Sequence, residues 1–190
     1  VISDLNYRAD GRGYLESGYS QIFLLPADGG TPRQITQGEF NHGGKLDWTP
    51  DGNEIIFSAN RNEDWRERER NSDLWSVNYR TGEMRQLTDR NGPDFAPSLS
   101  PDGSRLAYLG YEDRLMGYHN SLVSILDLNS GKITQLTEGL DRSIDWVEWA
   151  GNSRQLLISF DDFGKRKLAS VDMEGDLRPL ESDVGSAGIS

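Results

Sequence analysis

The chain has 190 residues, 35% of them hydrophobic, no cysteine and a formal net charge of −11. That is enough apolar material for a core, while the missing thiols exclude a disulfide frame and a cysteine-ligated metal. The acidic excess argues against nucleic acid and anionic membrane as partners, since both demand clustered Lys and Arg, and no apolar run approaches the roughly 20 residues of a membrane span.

The first residues, Val1-Ile2-Ser3-Asp4, have no signal-peptide character. A start inside a strand pattern and an end on Gly185-Ser186-Ala187-Gly188 lead us to expect a piece of a longer chain; nothing in the composition fixes its compartment.

One phrase recurs along the chain. Tyr7-Arg8-Ala9-Asp10-Gly11 leads into Gly13-Tyr14-Leu15, and Asp47-Trp48-Thr49-Pro50-Asp51-Gly52 leads into Ile55-Ile56-Phe57-Ser58. Leu99-Ser100-Pro101-Asp102-Gly103 then leads into Leu106-Ala107-Tyr108, and Trp149-Ala150-Gly151-Asn152-Ser153 into Leu156-Leu157-Ile158. Pro presets φ at the first central position, Asp tolerates the second, and Gly supplies the positive φ that closes a bulged hairpin. The offsets of 41, 51 and 50 residues from Gly11 to Gly52, Gly103 and Ser153 mark a repeat.

Each repeat holds four strand-like segments, A to D. The first has Ile2 to Arg8, Gly13 to Leu15, Gln21 to Pro26 and Pro32 to Thr36; the second has Lys45 to Thr49, Glu54 to Ala59, Asp73 to Tyr79 and Met84 to Thr88. The third has Phe95 to Ser100, Arg105 to Gly110, Ser121 to Leu128 and Lys132 to Thr137. The fourth has Ser143 to Ala150, Gln155 to Asp161, Lys167 to Met173 and Leu177 to Leu180. Short turns such as Asp28-Gly29-Gly30 and Thr81-Gly82 join C to D, and helical periodicity is absent.

Four antiparallel strands per 40 to 50 residues predict an all-β fold, a β-propeller segment of about four four-stranded antiparallel blades. The blades are expected at about 1–36, 37–88, 89–137 and 138–181, with 182–190 a tail or the start of a further blade. Runs such as Leu156-Leu157-Ile158 are apolar at successive positions, so both faces of a sheet must be covered. An arc of four blades would expose two such flanks, so self-association by blade-to-blade contact is expected.

The A–B and C–D turns fall on one face of the arc and the B–C and D–A loops on the other. The second face carries the unusual sequence: Gln37 to Gly44, Arg61 to Arg70 and Tyr111 to Asn120. Loops on a rigid scaffold are where binding usually sits. Trp65, Arg66, Arg68, Tyr111, Arg114 and Tyr118 are therefore the candidate substrate or partner contacts, with Trp65, Phe40 and Tyr118 expected on one side and Asp28, Asp51 and Asp102 on the other. Arg61 to Arg70 has four arginines and four acids; its bland reading is a self-paired solvated loop, its sharper one a contact hot spot built on Trp65 and arginine.

The turns and strands, with Arg33-Gln34-Ile35-Thr36, Arg85-Gln86-Leu87-Thr88 and Thr134-Gln135-Leu136-Thr137, resemble the TolB-like propeller repeat. More narrowly, the stretch Tyr7 to Tyr14, Phe57-Ser58-Ala59-Asn60-Arg61, Tyr111-Glu112-Asp113-Arg114 and Phe160-Asp161-Asp162-Phe163-Gly164 resemble the propeller of acylaminoacyl peptidases in the prolyl oligopeptidase family. The resemblance implies an α/β-hydrolase domain with a Ser-Asp-His triad and a propeller that gates access of peptide substrate and docks that domain. This chain has no Gly-x-Ser-x-Gly nucleophile elbow. His42 and His119 sit in predicted loops, where solvent-facing side chains are expected, so the chain by itself should not catalyse hydrolysis. No cofactor and no metal are expected, because Glu112-Asp113 and Asp161-Asp162 lack the alternating oxygen spacing of a calcium loop. Asp145-Trp146-Val147-Glu148-Trp149 is similar to the acidic motif of the dipeptidyl peptidase branch, but Trp149 occupies the slot of Trp48, which places Glu148 in an A strand.

Overall fold

The computed structural model describes residues 8–11, 13–14 and 18–184. The chain is all-β. Two short pairs come first, β1 (Arg8–Ala9) with β2 (Gly13–Tyr14) and β3 (Phe23–Leu24) with β4 (Arg33–Gln34). Three four-stranded antiparallel sheets follow in sequence order. One contains β5 (His42–Trp48), β6 (Glu54–Ala59), β7 (Asp73–Asn78) and β8 (Met84–Gln86); the next β9 (Asp94–Leu99), β10 (Arg105–Gly110), β11 (Leu122–Asp127) and β12 (Ile133–Gln135). The last contains β13 (Ile144–Trp149), β14 (Gln155–Asp162), β15 (Lys165–Asp172) and β16 (Leu177–Val184). The strand expected over Ile2 to Arg8 lies mostly outside the described residues. Where the first repeat is described it forms two separate two-stranded pairs.

The sheets stack like blades, with β5, β9 and β13 side by side. Alternation explains the continuous apolar runs. Ile55 and Phe57 of β6 point to one flank and pack with Ile22 and Ile35, while Ile56 points to the other and packs with Leu99, Leu106 and Tyr108. Ala107 and Leu109 of β10 then pack with Val147, Leu156 and Ile158 of the last sheet.

The repeated turn is closed as its chemistry demands. Gly52, Gly103 and Ser153 have φ of 66°, 71° and 51°, and the amides of Gly52 and Gly103 donate to Thr49 and Ser100 carbonyls at 2.8 Å. Asp102 accepts from Ser100 Oγ, Ser104 N and Ser104 Oγ, bonds that hold its carboxyl down at about 2. Successive turns touch: a Cβ on Gly103 would come 2.9 Å from Pro50, and Asp102 N donates to Ser153 Oγ.

A second repeated device closes three of the sheets. Thr36, Thr88 and Thr137 are buried, and each Oγ1 accepts at 2.9 Å from a backbone N–H 14 residues earlier: Ile22, Leu74 and Val123. The preceding amides of Ile35, Leu87 and Leu136 donate to the carbonyls of the same three residues. The Gln-Ile/Leu-Thr phrase is thus a clasp that satisfies backbone groups where the outer strand leaves the ladder.

Thr137→Val keeps the shape but strips the acceptor from the buried Val123 amide. It should cost about 1–3 kcal/mol, read as a lower urea midpoint with unchanged slope; an unchanged midpoint would show the clasp to be dispensable.

Candidate functional site

The inner strands start with a common bond. The amides of His42, Asp94 and Ile144 donate to the carbonyls of Ser20, Ser72 and Ser121, and all three side chains are buried. Their partners across the ladder are Ala59, Gly110 and Phe160. Just beyond this point each inner strand bulges, with Gly44 at φ 75° and Ala96 at φ 51°. A bulge re-aims side chains and interrupts pairing. Here it opens a cleft of about 530 Å³ lined by Asn41 to Lys45, Ser58 to Asn60, Trp65, Glu69, Ser72, Phe95 and Ala96.

Trp65 forms one wall. Its ring meets Tyr19 and Phe40 edge-on, at centroid distances of 5.8 and 6.1 Å. Arg66 lies over Trp65, 4.8 Å from the ring centroid, and reaches Tyr19 Oη and Glu39. Arg61 is stacked between Phe40 and Trp75, and its Nη1 lies 2.6 Å from His42 Nε2. The loop from Arg61 to Arg70 is therefore more than a self-paired surface. Asp64–Arg68 is an internal ion pair, but Arg61, Trp65 and Arg66 are spent on the aromatic cluster.

His42 is buried inside strand β5, which corrects the solvent-facing expectation. Burial, and after it the Arg61 guanidinium, lower its pKa, so the ring is neutral near pH 7 and offers Nε2 as acceptor to Arg61. His119 also turns inward. It stacks flat on Tyr111 at 4.7 Å and accepts from Arg114 N, because an aromatic neighbour covers the ring that the loop sequence left open. Neither histidine is placed beside a hydroxyl nucleophile by any of these contacts.

Five of the six predicted contact residues form two groups joined by Asn91. Arg68 Nη2 donates to Asn91 Oδ1, and Asn91 Nδ2 donates to the Asp113 carbonyl. Trp65, Arg66 and Arg68 thus belong to the cleft and its rim, while Tyr111 and Arg114 hold the next loop, with Arg114 on Glu112. Tyr118 stands farther on, exposed, beside Asn120, Asp141, Arg142 and Asp145. Trp65 contacts Phe40 and lies at the end opposite the packed turns of Pro50 and Gly103. Sequence reading missed Tyr19, Arg61, His42, Lys45 and Phe95; the glycine pair Gly43-Gly44 was the available sign of a bulge.

Acidic residues in the loops are matched locally. Arg166 binds Asp161 and Asp145, and Arg142 binds Asp162. Glu148 lies in the inner strand β13, as its register implied, and accepts from Lys45 Nζ at 2.5 Å and Ser98 Oγ at 2.7 Å, so it ties three inner strands together.

Beneath the cleft lie two buried carboxylates. Asp94 pairs with Arg90, yet burial still raises its pKa. Gly110 makes room for that pair, since a Cβ there would fall 2.2 Å from Arg90 Nη2. Asp73, reached by Asn62 and Gln86 amides, is pushed up to about 6, first by burial and then by Asp94 and Asp89.

The chain matches the PD40 family, the TolB beta propeller domain, over residues 13–186. It belongs to that family. Dipeptidyl-peptidase 5 of Porphyromonas gingivalis is 29% identical over 111 residues, which cover 56% of this chain and 16% of that protein. Among solved structures, a puromycin hydrolase mutant complexed with PGG superposes with TM-score 0.68 at 19% identity, over 85% of this chain and 27% of that one. TolB from Acinetobacter baumannii superposes with TM-score 0.65 at 20% identity, over 84% and 37%. The chain thus spans a small part of these relatives, and the structural likenesses establish the fold.

Because Asp73 prefers the protonated form when folded, its contribution is most favourable below pH 4 and turns into a penalty as pH rises through about 6. Asp73→Asn should therefore gain stability over the natural chain between pH 4 and pH 7, by no more than about 3 kcal/mol. Urea unfolding of both proteins across that range checks it; a pH-independent difference would contradict the assignment.

Proposed function

We propose that the chain is the non-catalytic propeller portion of a serine peptidase of the acylaminoacyl or prolyl oligopeptidase type, gating peptide access and docking the hydrolase domain of the parent protein. The observation that carries this reading is the cleft of about 530 Å³ on the loop face, with aromatic walls from Trp65 and Phe95 and polar groups from Asn41, Asn60 and Lys45. Such a mixture suits a short peptide: aromatic walls take apolar side chains, and convergent amides pair with peptide groups. The family resemblance of the loops and the identity with a dipeptidyl-peptidase 5 support it.

A second reading, a TolB-like module that binds a protein partner with no enzyme attached, draws on other residues of the same face. Leu115 and Phe163, at φ 55° and 47°, stand 87% and 92% exposed at the tips of the β10–β11 and β14–β15 connections. Large apolar tips in strained conformations suit insertion into a partner.

Calorimetric titration with short N-acetylated and free peptides distinguishes the two. The peptidase reading expects saturable binding that Trp65→Ala weakens by about tenfold or more, with no hydrolysis and no serine-directed labelling of this chain alone. No binding at millimolar peptide, or binding indifferent to Trp65, would overturn it. A Gly-x-Ser-x-Gly elbow downstream in the parent reading frame decides for the peptidase.

A further inference from the structure

At the end opposite the cleft, Tyr79 sits between two arginines. Arg33 of β4 places its guanidinium carbon 5.9 Å from the ring centroid and donates to the Tyr79 carbonyl at 2.5 Å. Arg80 lies 5.2 Å from the same centroid and donates from Nε to Tyr79 Oη at 2.6 Å. Trp48, 42% exposed, meets the ring edge-on at 5.8 Å. Neither arginine has a salt-bridge partner among the described residues, in a chain of net charge −11; Arg85, at the place equivalent to Arg33, has one in Glu54.

The internal repeat shows what the fold needs at this place. The amides of Tyr79 and Leu128 donate to the equivalent carbonyls of Asn53 and Ser104, and Asn78, Asp127 and Asp172 pair with Glu54, Arg105 and Gln155. Tyr79 therefore corresponds to Leu128 and Met173, and Arg80 to Asn129 and Glu174. All three of Tyr79, Leu128 and Met173 pack against the core, so packing alone accepts an aliphatic side chain. Arg33 corresponds to Arg85, which is spent on Glu54, and to Thr134. Tyr79 and Arg80 are the departures from the repeat that blade architecture does not require; Arg33 and Trp48 keep the residue types of Arg85 and Trp149, but here Arg33 turns to Tyr79 instead of a carboxylate.

We propose that Arg33, Arg80, Tyr79 and Trp48 form a docking site for an acidic polypeptide segment. The bonds to the Tyr79 carbonyl and Oη, with the ring within 6 Å of each guanidinium carbon, restrain both arginines, so less side-chain freedom is lost when their remaining N–H donors grip a carboxylate. The bond is charge-assisted, and a fork of parallel donors fits a carboxylate's two oxygens. Trp48 adds an apolar surface for the neighbouring methylenes of Glu or for an interspersed apolar residue. Two arginines match one or two carboxylates flanked by apolar residues, so the segment that fits is short; a long polyanion such as nucleic acid would carry most of its phosphates across the repelling remainder of the surface.

The test is fluorescence anisotropy of a labelled short peptide with two glutamates beside one aromatic residue. Saturable binding is expected at low ionic strength, weakening with added salt. Arg80→Glu, in an exposed turn, should weaken it by about tenfold or more without lowering the melting temperature, and Trp48→Ala should weaken it less. Trp65→Ala, at the other end of the molecule, should leave it unchanged, which separates this site from the cleft. No binding, binding unaltered by Arg80→Glu, loss on Trp65→Ala, or equal affinity for an oligothymidylate of the same charge would each overturn the proposal.

Discussion

The sheets β5–β8 and β9–β12 are apolar on two flanks, and the structure is arranged around the need to cover both. A half-buried strand alternates apolar and polar residues, whereas Ile55, Ile56 and Phe57 are buried in succession because neighbours exist on either side. The seams carry the burial, at about 25 cal/mol per Å² of apolar surface removed from water. The polar devices work at the seam ends. Asp47 accepts from the Leu99 amide at 2.6 Å, Trp149 donates to the Ser98 carbonyl at 2.8 Å, and the threonine clasps close the ladders.

Repetition makes the functional residues visible by contrast. At the start of the inner strands the fold accepts Ile144, as apolar logic demands, yet His42 and Asp94 stand at the matching positions. Both burials carry a desolvation cost, which the hydrogen bond to Arg61 offsets in part for His42 and the pair with Arg90 offsets in part for Asp94. The bulges beside them interrupt pairing where pairing would otherwise seal the cleft. At the far end, Arg33 and Arg80 gather on a ring that the other seams replace with Leu128 and Met173. Cleft and arginine pair thus lie at opposite ends of neighbouring seams, and each is a local exception to an otherwise regular text.

The repeat, the turn chemistry and the all-β class were legible because they depend on local rules: a Gly that must take positive φ, a period of two, a turn residue at a fixed offset. Gly52 and Gly103 show the first directly. Strand ends were less legible. β5 begins at His42 rather than Lys45, and β15 at Lys165 rather than Lys167, since the tight Phe163-Gly164 turn lets β14 and β15 pair to Asp162 and Lys165. Trp65, Arg66 and Arg68 could be singled out from composition, but their partners could not. The aromatic cluster joins Tyr19, Phe40, Trp65 and Trp75 from four separate segments, and only the folded seam brings them together.

Hydrogen–deuterium exchange, with and without a saturating short peptide, tests most directly the claim that the bulged loop face is the binding face. The account predicts added protection at 41–45, 58–72 and 94–96, with the turns at 49–53 and 101–104 unchanged. Protection confined to those turns, with none around the bulges, would contradict it.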